Sequence, residues 1–317
     1  MPVKEIALDV FRLKTSIANV YFIGPLEGPW ALVDTGMPGH AEQIREAAES
    51  LYGAMPPEAI LLTHGHMDHA GSALDLASFW DVSVFVHPLE LPYLTGRSKY
   101  PPLDPTVGGF LALMGRFVSV RVQDLGGRVR ALEAGHEAPG LEGWEWHHTP
   151  GHSPGHVAFF RRYDGTLLAG DALTSMNLGS LFASLFEARR VCGPPAPSTP
   201  DWQRARESVE LLAELRPLTI ACGHGAPMSG GKAVMQLAEL ATHFRIPDHG
   251  RYVEEAARMD ESGVVSLPPP PLDSLPGVAV AVGVAAAAGT MFAVAAHRRR
   301  RASKSDATRA DTPAPAS

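Results

Sequence analysis

The segment Thr63-His64-Gly65-His66-Met67-Asp68-His69 constrains the fold of this chain more than any other stretch. It places three histidines and one aspartate within six residues, directly after the apolar run Ile60-Leu61-Leu62. A short apolar run followed by small, turn-prone residues is typical of a buried strand. Imidazole and carboxylate groups are ligands that Zn²⁺ takes in proteins. The sequence therefore predicts a strand that delivers metal ligands at its C-terminal end.

The spacing inside this segment allows it to serve two metal ions. His64 and His66 are two residues apart, so on an extended segment they share one face. If the chain then turns into a helix, Asp68 and His69 can point towards a neighbouring position. A polar loop with chance histidines is the alternative, and four ligand-type residues in six positions disfavour it.

Three further ligand candidates follow other predicted strands. His152 lies in a Gly-rich turn, Asp171 closes a predicted hairpin, and His224 follows the apolar run Thr219 to Cys222. A glycine precedes each of the three, and glycine lets the backbone turn sharply near a bound ion. Loop ends carried by a rigid sheet are the usual place for functional residues. These residues are therefore expected to join the histidine-rich segment.

Taken in order, these motifs resemble the five-motif signature of the metallo-β-lactamase superfamily. The matching stretches are Val33-Asp34-Thr35-Gly36, His64 to His69, Gly151-His152, Gly170-Asp171 and Gly223-His224. The resemblance covers roughly residues 5 to 245. It implies an α/β (α+β) fold, a four-layer αββα sandwich with a dinuclear metal site at one edge of its two sheets.

The resemblance also assigns a role to each metal-ligand candidate. The first ion would be bound by His64, His66 and His152. The second ion would be bound by Asp68, His69 and His224, and Asp171 would bridge the two ions. The expected cofactor is Zn²⁺, two ions per chain, with Fe²⁺ as the alternative.

Two residues are expected to support the ligands from behind, and one ligand is expected to take part in the reaction. Asp34 is not a ligand in the superfamily, so it would hold the ligands in place. His156 begins a predicted strand, and we expect it to support the site or to pack beside it. Asp68 would orient the nucleophile as well as bind metal.

The chemistry that the resemblance implies is hydrolysis. Two zinc ions share a water and lower its pKa, and the resulting hydroxide attacks an ester, thioester, lactone or amide carbonyl of a small-molecule substrate. His69 narrows the subtype, because the commonest zinc β-lactamases usually carry arginine there. An all-histidine second site is similar to that of glyoxalase II, of lactonases and of a minority class of zinc β-lactamases. That β-lactamase class and a mononuclear iron oxidoreductase, similar to persulfide dioxygenases, remain as alternatives.

Charge and composition narrow the choice of partners. The formal net charge is −7 and the pI is about 6.0, which argues against a nucleic-acid-binding protein. Cys192 and Cys222 are the two cysteines, and we expect free thiols in a reducing compartment. Residues 97–130 are rich in proline and glycine, and they form either a substrate loop or a variable surface excursion.

Composition divides the chain into four expected parts. These are a catalytic domain over residues 1–250, a Pro-rich linker over 251–276, an apolar helix over 277–296, and a basic, then disordered tail over 297–317. The apolar run has the length that spans a bilayer. The N-terminal residues lack the pattern of a signal peptide, so none is expected. The protein is therefore expected to be cytoplasmic or anchored to the membrane by this helix, with its orientation and oligomeric state left open.

Overall fold

Fourteen strands and seven α-helices make up the part of the chain that the computed structural model describes, which is residues 3–115, 123–133, 135–179 and 189–270. The strands are β1 Lys4–Ala7, β2 Val10–Lys14, β3 Asn19–Ile23, β4 Ala31–Val33, β5 Ala59–Leu61, β6 Val84–Val86, β7 Val129–Ala131, β8 Trp144–His148, β9 Val157–Arg161, β10 Thr166–Leu168, β11 Thr219–Ala221, β12 Met228–Ser229, β13 Arg258–Asp260 and β14 Gly263–Ser266. The α-helices are α1 Ala41–Tyr52, α2 Met67–Ala70, α3 Ala73–Trp80, α4 Leu91–Leu94, α5 Phe110–Gly115, α6 Trp202–Glu214 and α7 Gly231–Thr242.

Two large sheets carry the architecture. The first has seven strands in the order β1 to β7, antiparallel from β1 to β4 and parallel from β4 to β7. The second has five strands in the order β12-β11-β10-β9-β8, with β10 and β11 parallel. Neighbouring parallel strands end at the same edge of a sheet. The segments that follow β4 and β5, and those that follow β10 and β11, are therefore brought together.

Alternation along the strands builds the layers, because successive side chains point to opposite faces. Phe22 and Leu32 face a core that the first sheet shares with helices α1 and α3. Tyr21 and Val33, next to them in sequence, face a core that contains strands of both sheets. A third core lies between the second sheet and helices α6 and α7, where Leu212 is fully buried. The predicted α/β sandwich is confirmed, with helices on both outer faces.

Helix α6 begins where its sequence predicts. Asp201 is its N-cap residue, and its side chain accepts a hydrogen bond from the Arg204 amide at 3.0 Å. This bond satisfies one of the backbone donors that the first turn of a helix leaves free. One face of α6 is buried, including Ala205, Val209 and Leu212, and it holds the helix against the second sheet.

The structure differs from expectation over residues 251–276, which the sequence predicts to be a Pro-rich linker. Strands β13 and β14 form a hairpin inside this range. Its turn is stabilised by Asp260, whose Oδ1 accepts hydrogen bonds from the amide and the hydroxyl of Ser262, and by Gly263 at φ 108°. The amide of Val264 donates to Ser98 Oγ and ties the hairpin to the domain. Local hydrogen bonds at the turn, rather than a long apolar run, therefore account for this hairpin.

The expected apolar helix over residues 277–296 and the tail over 297–317 lie outside the described residues. Among the helices of residues 3–270 that the structure describes, none combines the length and the apolar character needed to cross a membrane.

Candidate metal centre

Strand ends from both sheets converge on one cluster of ligand-type side chains. Asp34 follows β4, and His64 lies three residues beyond the end of β5. In the second sheet, Asp171 and His224 each lie three residues beyond the ends of β10 and β11. His152 comes from the loop between β8 and β9. The cluster therefore lies at the edge where the parallel strands of the two sheets end.

The first ligand group consists of His64, His66 and His152. His66 Nδ1 lies 3.0 Å from His64 Nε2 and 2.9 Å from His152 Nε2, and the two Nε2 atoms are 3.2 Å apart. Three ring nitrogens in mutual contact cannot all pair as donor with acceptor, since each nitrogen of a neutral imidazole is either an N–H or a lone pair. At least two like groups therefore face each other, and a cation relieves this conflict when all three nitrogens present lone pairs.

The second ligand group consists of Asp68, His69 and His224. His224 Nε2 lies 3.2 Å from Asp68 Oδ2 and 3.2 Å from Asp171 Oδ2. Asp171 Oδ2 is also 3.5 Å from His152 Nε2, and Asp171 Oδ1 is 3.5 Å from His69 Nε2. Asp171 thus faces both groups, as its expected bridging role requires.

Two buried atoms without a hydrogen bond support a fit to a metal ion. His69 Nε2 and Asp171 Oδ1 make no hydrogen bond within the described chain, and they lie 3.5 Å from each other. A buried polar atom without a hydrogen bond is costly, and a metal ion between these two atoms would satisfy both. The donors are imidazole nitrogens and carboxylate oxygens, which is the set that zinc takes. The residues present therefore fit a pair of divalent ions.

Burial and charge separate the two ligand groups. Burial lowers the pKa of His64 and His152 well below the ordinary value and that of His66 to about 4. These rings are therefore neutral at pH 7, which is the form that binds a metal. Burial also acts on His224, but the carboxylates of Asp171 and Asp68 outweigh it and raise its pKa to about 10. The second group is thus the more anionic environment.

Asp34 braces the histidine-rich segment from behind. Its Oδ2 lies 2.7 Å from His69 Nδ1, and its Oδ1 accepts the amide hydrogen of Thr63 at 2.8 Å. The Thr63 hydroxyl lies 3.0 Å from His64 Nδ1. Asp34 has a φ of 60°, which is a costly conformation for a residue other than glycine. Strain of this kind is typical of a functional position, and here it aims the carboxylate at His69.

His156 lies behind Asp171 and outside the converging ligand atoms. Its Nε2 accepts a hydrogen bond from the Asp171 amide at 2.9 Å, and its Nδ1 lies 2.8 Å from Thr149 Oγ1. Burial lowers the pKa of His156 to about 3, so the ring is neutral. A neutral ring that accepts at Nε2 donates at Nδ1, and this fixes its tautomer.

Glu90 is a feature of this region that motif reasoning missed. Its carboxylate is completely buried, and it contacts Gly65, Tyr100, Ser153 and Gly155. Burial raises its pKa, against the effect of these hydrogen bonds. The sequence holds one signal for it, which is a single carboxylate within the otherwise apolar run Leu89 to Leu91.

A cleft of about 450 Å³ reaches the ligand cluster, and His66, Asp68 and His224 line it. Its apolar walls include Leu103, Leu111, Met176, Leu178, Pro195 and Pro197. Leu103 and Leu111 come from residues 97–130, so the described part of that region contributes to the cleft. The cleft is large enough for a small organic molecule with an apolar portion.

One edge of the cleft carries positive charge. Arg12 and Lys14 stand two residues apart on β2 and line the cleft together. Within the described part of the chain, Arg12 donates hydrogen bonds to uncharged oxygens, from Nε to Asn19 Oδ1 at 2.8 Å and from Nη2 to the Gly225 carbonyl at 3.3 Å. Gly225 directly follows the ligand His224. A cation therefore lies beside the second ligand group.

Sequence comparisons agree with the geometry. The sequence profile of the metallo-beta-lactamase superfamily matches residues 13–224. The probable metallo-hydrolase YflN of Bacillus subtilis (strain 168) is 39% identical over 244 residues, which cover 76% of this chain and 92% of that protein. A hydroxyacylglutathione hydrolase of Acidiphilium cryptum (strain JF-5) is 27% identical over 272 residues, or 84% of this chain and 87% of that protein.

Solved structures share the fold. A metallo-beta-lactamase family protein, TTHA1429 from Thermus thermophilus, has a TM-score of 0.53 and 23% identity, and the match covers 75% of this chain and 79% of that chain. The B3 metallo-beta-lactamase BLEG-1 has a TM-score of 0.50 and 21% identity, over 73% of this chain and 95% of that chain. At this level of sequence identity, the similarity shows that the fold is shared and carries no conclusion about activity.

Proposed function

Because this chain belongs to the metallo-beta-lactamase superfamily, we propose that it is a zinc-dependent hydrolase of small acyl substrates. The bond cleaved is an ester, thioester, lactone or amide bond. The observation that carries the proposal is the convergence of seven ligand-type side chains on one end of an apolar cleft. They are His64, His66, Asp68, His69, His152, Asp171 and His224.

In this proposal each ligand group would hold one zinc ion. The residues of the first group are His64, His66 and His152, those of the second are Asp68, His69 and His224, and Asp171, which faces both groups, would serve both. When bound, the ions supply a water of lowered pKa and polarise the substrate carbonyl. The protein keeps the ligand atoms in place through Asp34 and His156, which contact the ligands rather than the substrate.

Asp68 is the carboxylate best placed to handle a proton. Its side chain is 22% exposed and lines the cleft, whereas that of Asp171 is 3% exposed. We assign it two tasks, which are to orient the attacking water and to carry its proton to the leaving group. Water then adds across the acyl bond, with its oxygen on the acyl carbon and its hydrogen on the leaving group. The walls around Leu103 and Met176 bind the apolar part of the acyl group.

Arg12 gives the cleft a preference for negative charge. Arg12 lines the cleft beside Gly225, and among the described residues its guanidinium donates hydrogen bonds to the neutral Asn19 side chain and the Gly225 carbonyl. A carboxylate on the acyl group or on the leaving group is therefore favoured at this edge. Arginine suits this task because its planar group binds a carboxylate through two parallel bonds.

The test is a hydrolysis panel with a matched pair of variants. We expect the zinc-loaded protein to hydrolyse at least one class among acyl esters, acyl thioesters and lactones. His66→Ala removes a ligand and should abolish that activity, with an unchanged circular dichroism spectrum. His243→Ala is the control, since His243 is exposed at the end of α7. Wild-type activity in His66→Ala would refute the assigned site.

A further inference from the structure

We propose that Glu90 is a positioning residue for one of the two metal ions. In this proposal it locks the loop of His64 and His66 against the loop of His152, and its loss releases the ion of the first ligand group while the second is retained. The inference rests on the proposed dinuclear metal site. Nothing in the motifs that identify the superfamily includes Glu90, which lies between the second and third motifs.

The carboxylate of Glu90 joins the two loops through separate oxygens. Oε2 accepts hydrogen bonds from the Gly65 amide at 2.9 Å and from the Tyr100 hydroxyl. Oε1 accepts from the Ser153 hydroxyl at 2.8 Å and from the Gly155 amide at 2.7 Å. Each oxygen thus serves one loop, and the rigid carboxylate sets the distance between them.

These donors are direct sequence neighbours of the first ligand group. Gly65 lies between His64 and His66, and Ser153 follows His152. Tyr100 adds a second contact, because its ring lies edge-on to that of His66 at a centroid distance of 4.6 Å. A displacement of Glu90 would therefore move all three first-group histidines relative to one another.

The fit around Glu90 leaves no slack for an alternative arrangement. A Cβ at Gly155 would lie 2.8 Å from Glu90 Cγ, and a Cβ at Gly65 would collide with the Tyr100 hydroxyl. Four donors also demand a carboxylate, since glutamine can accept through one oxygen only. In Glu90→Gln the side-chain NH2 group must face the backbone N–H of either Gly65 or Gly155. That buried N–H then has no acceptor.

The second ligand group is held by other contacts. Asp34 holds His69 through a contact of 2.7 Å, and the Ile17 carbonyl lies 2.9 Å from His224 Nδ1. Loss of Glu90 should therefore act on one ion selectively. This selectivity distinguishes a positioning role from a general contribution to folding, which would affect both ions alike.

The experiment measures zinc stoichiometry by equilibrium dialysis at a fixed, buffered concentration of free Zn²⁺. The wild type should bind about two ions per chain and Glu90→Gln about one, with the affinity of the lost ion reduced about 10–100-fold. Glu207→Gln is the matched control on the exposed face of α6 and should bind as the wild type does.

Double variants identify which ion Glu90→Gln retains. Adding His224→Ala should abolish the remaining zinc, whereas adding His66→Ala should cause no further loss, because two changes at one site are not additive. The reverse pattern, or equal weakening of both ions, would overturn the proposal. Full occupancy by two ions in Glu90→Gln at wild-type affinity would also overturn it.

A second variant provides a test if Glu90→Gln is unstable. If Glu90→Gln does not fold, Tyr100→Phe removes one of the four donors, and it should weaken the binding of one ion about tenfold while the other ion is bound as in the wild type. Unchanged zinc affinity in Tyr100→Phe would then count against the proposal.

A wild-type chain that binds no zinc would overturn the proposed function together with this inference. A wild type with two ions and no selective effect of Glu90 would overturn this inference alone.

Discussion

Gly223→Ala should disable the metal centre without removing a ligand. Gly223 precedes His224 and has no positive φ, so alanine is compatible with its backbone conformation. The obstacle is space, because a Cβ there would lie 2.5 Å from His69 Cε1 and would overlap Asp171 Oδ1. To restore an ordinary contact of 3.4 Å, His69 must move by about 0.9 Å, against a latitude of roughly 0.2 Å in metal–ligand distances.

The expected result follows from this displacement. Zinc affinity should fall by about 10–100-fold, as it does when groups that orient ligands are disturbed. The metal-free variant should lose about 1–3 kcal/mol of unfolding free energy, which is typical of an overpacked interior. Zinc affinity is measured by competition with a chromophoric chelator, and stability by urea unfolding.

The control for Gly223→Ala is the same substitution at an open position. Gly231 begins α7, and a Cβ there would have no atom within 4 Å. Gly231→Ala should leave zinc affinity unchanged and stabilise the fold by about 0.4–1 kcal/mol. If Gly223→Ala binds zinc like Gly231→Ala, then Asp171 and His69 do not approach this backbone as closely as we describe, and the reasoning fails.

Two further predictions concern charge. Arg12→Gln should lower kcat/KM about tenfold or more for an acyl thioester that carries a carboxylate. The same thioester with a neutral carboxamide in place of the carboxylate should be hydrolysed as before. Equal losses on both substrates would refute the anion preference. Asp164 accepts hydrogen bonds from Arg161 and Thr166, which lower its pKa against the effect of burial. A carboxyl group whose pKa is lower in the folded state stabilises the fold at pH values above its ordinary pKa, which is near 4. This stabilisation is lost as the pH falls through the lower pKa of the folded state. Metal-free Asp164→Asn should therefore be less stable than the wild type by about 0.5–1 kcal/mol at pH 7, and this gap should narrow in urea unfolding as the pH falls below about 4.

Metal-ligand candidates could be predicted from the sequence because they follow predicted strands and are either clustered, as in His64 to His69, or preceded by a glycine, as are His152, Asp171 and His224. The strand before His64 and the hairpin before Asp171 need only local patterns, and the structure brings the residues that follow them together. Helix α6 is equally local, since Asp201 caps it and its buried residues recur at helical spacing.

Glu90 could not be predicted in the same way. Its partners lie 25 and 65 residues away at Gly65 and Gly155, and no short pattern links a lone carboxylate to two distant amides. The cleft also depends on tertiary structure, because Arg12 and Leu111 meet there from separate elements. Contacts between loops are decided by how the two sheets pack, and residue spacing along the chain does not encode that directly.

The most direct test of the central claim is a zinc titration of the metal-free protein that follows hydrolysis and metal content together. Chelation should abolish hydrolysis of the best substrate in the panel, and added Zn²⁺ should restore it up to about two ions per chain. Full activity in the zinc-free chain would contradict the account. So would restoration by a single iron ion with consumption of oxygen, because that result would make the protein an oxidoreductase.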